Sequence, residues 1–482
     1  MLSHKVLLAA SIAFAAHDIA ARAQGLPDEI QARQAADARL QANIDAEAAA
    51  RSNGDAMLNV RIDAEAATRA DAIEALRKSI PSSGGGGGGT VTVDCGSGGS
   101  IAQAVASGAA HIVVRGTCDG PVVIDRDDVS LVADPTGGSV QGTDPDANVV
   151  VVTGHRVTID GLMVSGGRNG ITGIGASNLA LRNVSVQSTG RVGIVYTSGS
   201  SGTIDGCTSQ GNARNGIVVD GSWARITNCT IQNNNVSGIT VVNNGNAVIG
   251  VTATFVPAGN TIRQNTGNGI SISFGGIATV AMNTITQNTG IGISLLHATA
   301  AISGGNTITG NGFGGVAATG SRVSLGDAGL GVTTVNQVSE NGSPNATGGV
   351  FAGVGTSMLI RDAQIQSNNG AGLIVSLRSQ VQMTGTTIRN NASDGIRLVL
   401  GAALLPLTPV STITGNTGVG IQCFDSESSV VNTGLPTTSV SGNFGGDVSA
   451  ACTSFDAPVI APPPPPPGPV PGPVPPPLPP GT

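Results

Sequence analysis

The stretch ITNCTIQNNNVSGITV, residues 226–241, decides how the chain is read. It places Ile231, then Asn234 three residues on, then Gly238 four after that, with Ile239 directly following. Aligned on its glycine, the phrase recurs at Gly170, Gly193, Gly216, Gly238, Gly269, Gly292, Gly315, Gly349, Gly372, Gly395 and Gly420, with spacings of 23, 23, 22, 31, 23, 23, 34, 23, 23 and 25 residues. Self-similarity at a fixed period of this length marks a solenoid. Every one of these glycines is followed by Ile, Val or Leu, and in most of the phrases Asn stands four residues before it, as Asn212, Asn234, Asn265, Asn288, Asn311, Asn368, Asn391 and Asn416 do.

Stacked parallel strands explain this vocabulary. Each residue of such a coil sits about 4.8 Å from its equivalent in the next, so identical side chains form columns. An aliphatic column at Ile231, Ile262, Ile285, Ile308, Ile365, Ile388 and Ile413 fills an interior by dispersion and release of water. Asn tolerates left-handed backbone at a turn and passes amide hydrogen bonds from coil to coil. Gly allows the tight bend before the next strand. The quoted phrase is therefore a corner with its flanking strands.

A leucine-rich repeat has a similar period, but its consensus needs several Leu per repeat and often a helical return. These repeats are instead filled with Thr, Ser, Gly, Val and Ile. Together with TVTVDCGSGGSIAQAVAS from residue 90 and HIVVRGTCDGPVVIDRDDVSLVAD from residue 111, read as a strand, a capping helix and first coils, the repeats resemble the right-handed parallel β-helix, or pectin-lyase-like, superfamily over roughly residues 90–456. The resemblance implies an all-β solenoid. It leaves function open among polysaccharide lyases, hydrolases, epimerases, adhesins and tailspikes.

The flanking segments differ in composition. Lys5, the apolar run VLLAASIAFAA and the triplet Ala21, Arg22, Ala23 have the layout of a secretory signal over residues 1–23. No later stretch is long and apolar enough to predict a transmembrane span. In residues 26–80, IDAEAAAR at 44–51 repeats as IDAEAATR at 62–69. Leu40, Ile44, Leu58, Ile62, Leu76 and Ile80 thus recur every 18 residues, which puts them on one stripe of an α-helix. This segment is expected to form a helical stalk that covers its stripe by coiled-coil self-association, giving a homo-oligomer; the alternatives are a helix packed on the main domain or a mobile polar arm. A Gly-rich hinge spans 81–89, and a Pro-rich tail over 457–482 is expected to be an unfolded polyproline spacer.

With 72 Gly, 2% aromatic and 11% charged residues and a net charge of −7, the composition fits a turn-rich exoprotein and shows no basic patch of the kind that binds nucleic acid. The expected location is extracellular, on the cell surface or in the periplasm. In an oxidising compartment six cysteines are expected to pair, and their order suggests Cys95 with Cys118, Cys207 with Cys229, and Cys423 with Cys452. Cys207 and Cys229 each lie nine residues before their glycine, so they are column neighbours, with a buried thiol pair as the alternative reading.

Carboxylates are sparse in the repeats. Asp125, Asp127 and Asp128 form the densest group and read as a solvated edge. Arg168, Arg191 and Arg214 each stand two residues before their glycine on consecutive coils, forming a column of like charge about 4.8 Å apart. Asp160, Asp205 and Asp220 share those coils and are the candidate partners of a salt-bridged corner. Left unpaired, such a ladder would bind the spaced carboxylates or sulfates of an acidic glycan bidentately. Trp223 offers a face for a sugar ring, Tyr196 belongs to an inward column, and His155 reads as a polar turn residue. The three long spacings insert VTATFVPAG at 251–259, DAGLGVTT at 327–334 and LLPLTP at 404–409 before the same strand, so these loops should project from one edge.

The sequence therefore predicts a secreted or surface β-helix protein that binds an extracellular polysaccharide or a surface partner, with no cofactor. The alternative, from the superfamily resemblance, is a lyase or epimerase acting on an acidic glycan, with calcium if a lyase.

Overall fold

The structure, a computed structural model, describes residues 89–326, 334–343, 347–406, 410–431 and 438–455. The segments read as signal, stalk and tail, and nearly all of the hinge, lie outside the described residues.

Each coil carries three short parallel strands. Ser201–Asp205, Thr208–Gln210 and Ile217–Asp220 make up one of them. The first and second strands of successive coils belong to one 28-stranded sheet and the third strands to a 13-stranded sheet. Pairing skips from one coil to the next: Ile204 lies opposite Ile226, Thr208 opposite Thr230, and Ile217 opposite Ile239. We refer to the three faces of the solenoid in that order. The phrase of 226–241 covers the end of a first-face strand, the second face and the turn into the third.

The pleat sorts the side chains. On the second face Ile231, Ile262, Ile285 and Ile308 have no exposed surface, while their neighbours Thr230 and Gln232 point outward. Tyr196 is also fully buried and donates its hydroxyl to the Leu179 carbonyl at 3.0 Å, so it fills the core as its column predicts. At the first end the solenoid is closed by the helix Ile101–Ala106, which buries Ile101, Ala104 and Val105. The Arg126 guanidinium donates to the Val105 and Ala109 carbonyls there, at 3.1 and 3.3 Å.

The turn between the second and third faces holds a ladder of ten buried asparagines. Asn212, Asn234, Asn265, Asn288 and Asn311 each donate Nδ2 to the Oδ1 of the next at 2.8–2.9 Å, and the run continues through Asn341, Asn368, Asn391, Asn416 and Asn443. Each Oδ1 also accepts the backbone N–H of the preceding rung, as Asn288 does from Asn265 at 3.1 Å. The corner's polar groups, which would otherwise be costly to bury, are thus satisfied. At one end the Thr189 hydroxyl donates to Asn212, and at the other Asn443 donates to Asp447.

A second ladder stands at the turn between the first and second faces, where Asn260, Asn283, Asn306 and Asn336 are linked in the same way. Cys207 and Cys229 occupy the two preceding positions of this column. The Cys207 N–H donates to Cys229 Sγ at 3.3 Å, and the Cys229 N–H donates to Asn260 Oδ1 at 2.9 Å. They are free thiols, against the disulfide expected for them. The reason lies in the register. Column neighbours send their Cα–Cβ bonds out side by side, whereas a disulfide needs its Cβ atoms drawn together to about 3.5–4.5 Å. The bonded pairs, Cys95–Cys118 and Cys423–Cys452, are each displaced by two residues from register, as the pairings Asp94 with Arg115 and Ile421 with Val448 show. Their side chains converge along a diagonal.

Candidate functional site

Arg168, Arg191 and Arg214 lie on consecutive coils at the turn between the second and third faces, close in sequence to the asparagine ladder. Backbone hydrogen bonds stack this edge coil on coil: Gly190 donates to the Gly167 carbonyl at 2.8 Å and Arg214 to the Arg191 carbonyl at 2.7 Å. Arg168 and Arg214 are exposed and Arg191 is half-buried. Among the described residues none of the three is in an ion pair; the arginines that are so engaged are Arg115, Arg156 and Arg397. Beyond Arg214 the edge continues through Val236, Gly267, Gly290 and Phe313, so the cationic part is confined to three coils.

The aspartates considered as its partners lie elsewhere. Asp160 and Asp205 end first-face strands, and both are in register with Arg182 between them. Asp220 ends a third-face strand. Each accepts an amide bond from the coil above: Asp160 from Asn183 at 3.1 Å, Asp205 from Asn228 at 2.8 Å, and Asp220 from Asn243 at 2.8 Å. Sharing a coil therefore does not mean sharing a corner, and the salt-bridged corner is not formed. These carboxylates tie adjacent turns together.

Trp223 is half-buried on the outer side of the first face, between Ser201 and Asn246. The Arg225 guanidinium lies over its ring, 5.2 Å from the centroid, a cation–π contact. The ring face offered to a sugar is thus covered on one side by the protein's own cation. The next residue in the Arg225 column, Val248, is buried with Val251 and Ala281, and the half-buried Met282 packs against them. Burial lowers the Arg225 pKa. Of the three loops expected on one edge, the one at 251–259 does leave the corner between the first and second faces. Residues 327–333 and 407–409 lie outside the described residues.

Two further groups are structural. Asp127 and Asp128, read as a solvated edge, are exposed but clasp Arg156 at 3.3 and 2.7 Å, and that contact holds Asp128 below the usual carboxylate range. His155 Nδ1 lies 2.9 Å from the Ser177 hydroxyl. Among the described residues no group of three or more His, Cys, Asp or Glu is arranged to hold a metal ion, and no helix is long and apolar enough to cross a membrane.

The pattern of the right handed beta helix region family matches residues 140–280 and 268–435. No curated protein matches the chain. Solved structures similar to it include an Azotobacter vinelandii mannuronan C-5 epimerase A-module, 16% identical over 77% of this chain and 92% of that one, with a TM-score of 0.43. A periplasmic alginate epimerase is 11% identical over 75% and 84%, with a TM-score of 0.40. The Dettilon tailspike protein is 12% identical over 72% and 64%, with a TM-score of 0.34. The family pattern spans more than half of the sequence and falls on the stacked coils described above, and the chain belongs to the right-handed β-helix family.

Proposed function

We propose that this is an exported β-helix protein that binds an acidic polysaccharide along the edge formed by Arg168, Arg191 and Arg214. The observation that carries the reading is that, among the described residues, three guanidinium groups on consecutive coils have no ion-pair partner, while the aspartates of those coils are engaged by asparagines at other corners. Like charges held about 4.8 Å apart repel, so the arrangement gains most from a ligand that brings anions at a comparable repeat. Guanidinium forks suit carboxylates and sulfates because two parallel N–H groups meet two oxygens. Two disulfides fit an oxidising destination.

The test compares binding of the full chain to a polyuronate and to the same polymer with its carboxylates reduced to alcohols. Retention of the polyuronate alone, declining as salt rises, is the expected result; equal retention of both polymers would overturn the reading. Monitoring the same samples for unsaturated or epimerised sugar products separates binding from a lyase or epimerase activity.

A further inference from the structure

A second, smaller site lies far from the arginine edge in sequence, on the turn between the third and first faces. One residue per coil forms the crest of this turn: Phe274, His297, Gly320 and Val354 follow one another along it. Because Gly320 has no side chain, the crest is notched. The notch has a volume of about 350 Å³ and is lined by His297, Thr299, Arg322 and Ser357 over a floor of Gly275, Gly320 and Gly355. That volume is at the lower end of the range for small-molecule sites, about 300–1,000 Å³. It suits a single ring better than a length of polymer.

The lining is chemically one-sided. No acidic residue lines the notch. Arg322 is exposed, and among the described residues it has no ion-pair partner. In the first-face register it stands between Thr299 and Ser357, so a hydroxyl-bearing residue flanks it on either side at the strand spacing of about 4.8 Å. The neighbouring Ser321 hydroxyl, by contrast, is already used, accepting from the Ala298 N–H and donating to the Thr319 carbonyl.

His297 holds a left-handed backbone at φ 49°, which places its ring across Gly320. A Cβ at residue 320 would stand 2.6 Å from His297 Cδ2 and 2.9 Å from Nε2. A side chain at residue 320 would therefore have to displace the ring, which glycine leaves in place. One coil before His297 on the crest, and next to Gly275 of the lining, Phe274 is 59% exposed.

We propose that this notch binds a carboxylate-bearing monosaccharide unit, with Arg322 taking the carboxylate, Thr299 and Ser357 meeting ring hydroxyls, and Phe274 packing against the sugar's apolar face. The site is independent of the arginine edge, since it uses other coils and another corner. A lone guanidinium selects for charge, and the two hydroxyls and the aromatic rim select for a sugar over a simple anion.

The full chain titrated with sodium glucuronate, by calorimetry or ligand-observed NMR, should bind it about tenfold or more tightly than glucose. R322Q should lose that preference, and G320A should weaken binding about tenfold by filling the floor and displacing the His297 ring. T299V, a milder change that keeps the fold testable, should cost about threefold. The combined R168Q/R191Q/R214Q variant should bind glucuronate like the wild type, which keeps this outcome distinct from failure of the polysaccharide reading. Equal affinity for glucose and glucuronate, or undiminished glucuronate binding by a folded R322Q variant, would overturn the proposal.

Discussion

Asn288 is a middle rung of the ladder, accepting from both the backbone N–H and Nδ2 of Asn265 and donating to Asn311. Asn288→Ala strands two buried donors at about 1–3 kcal/mol each, so a loss of roughly 2–5 kcal/mol is expected in denaturant titration. Gln210→Ala, which removes a rung from the half-exposed ladder of Gln187, Gln210 and Gln232, should cost about 1 kcal/mol or less because water replaces the lost bonds. The sequence phrase disclosed eight of the ten rungs. Asn341 escaped it because four extra residues separate it from Gly349, and Asn443 because no glycine of the series follows it. The thiols make a second residue-scale prediction. Hydrogen bonding with Cys207 and burial hold the Cys229 thiol well above its ordinary range, and both cysteines are buried. Iodoacetamide should label neither in the native protein at mildly alkaline pH and both once it is denatured. Absence of label after denaturation would mean that the pair is a disulfide.

At the scale of the turn, the crest between the third and first faces carries an unusual choice of residues. Val354, Leu377 and Leu400 have φ values of 56°, 52° and 57°, a left-handed conformation that costs a bulky or β-branched residue about 1–2 kcal/mol. An earlier coil places Asn243 on this crest, where the same backbone is tolerated. Val354→Asn should accordingly raise stability by about 1 kcal/mol, read as a higher melting temperature; an unchanged or lower one would show that Val354 gains more from its neighbours than its backbone costs. Nothing in a linear pattern distinguishes such a crest from a strand, since both read as aliphatic. The same limit explains the aspartates. Residue spacing identified which coil Asp160, Asp205 and Asp220 belong to, but the corner of the coil depends on where each strand ends, and strand ends are marked only by single Asn and Gly turns. The notch formed by His297 and Arg322 was hidden for a related reason: its residues are 25 apart and form no motif, and they meet only because the coils stack.

For the whole molecule, the repeat was legible because stacking turns periodicity into columns, and a column shows its chemistry as one repeated letter. The arginine edge was legible for the same reason, through three arginines at a common offset. Its unpaired state was not, because pairing depends on corners. The net charge of −7 makes that edge a local exception on an acidic chain, and salt should screen its attraction for a polyanion over about 8–10 Å. The decisive measurement is the affinity of the full chain and of R168Q/R191Q/R214Q for an acidic polysaccharide across a series of salt concentrations, with melting temperatures recorded alongside. Tight, salt-sensitive binding by the wild type and its loss in the triple variant are expected. The melting temperature should be nearly unchanged, since none of the three side chains is in an ion pair with a described residue and exposed charges contribute only about 0–1 kcal/mol each. Undiminished binding by a folded triple variant would contradict binding at that edge.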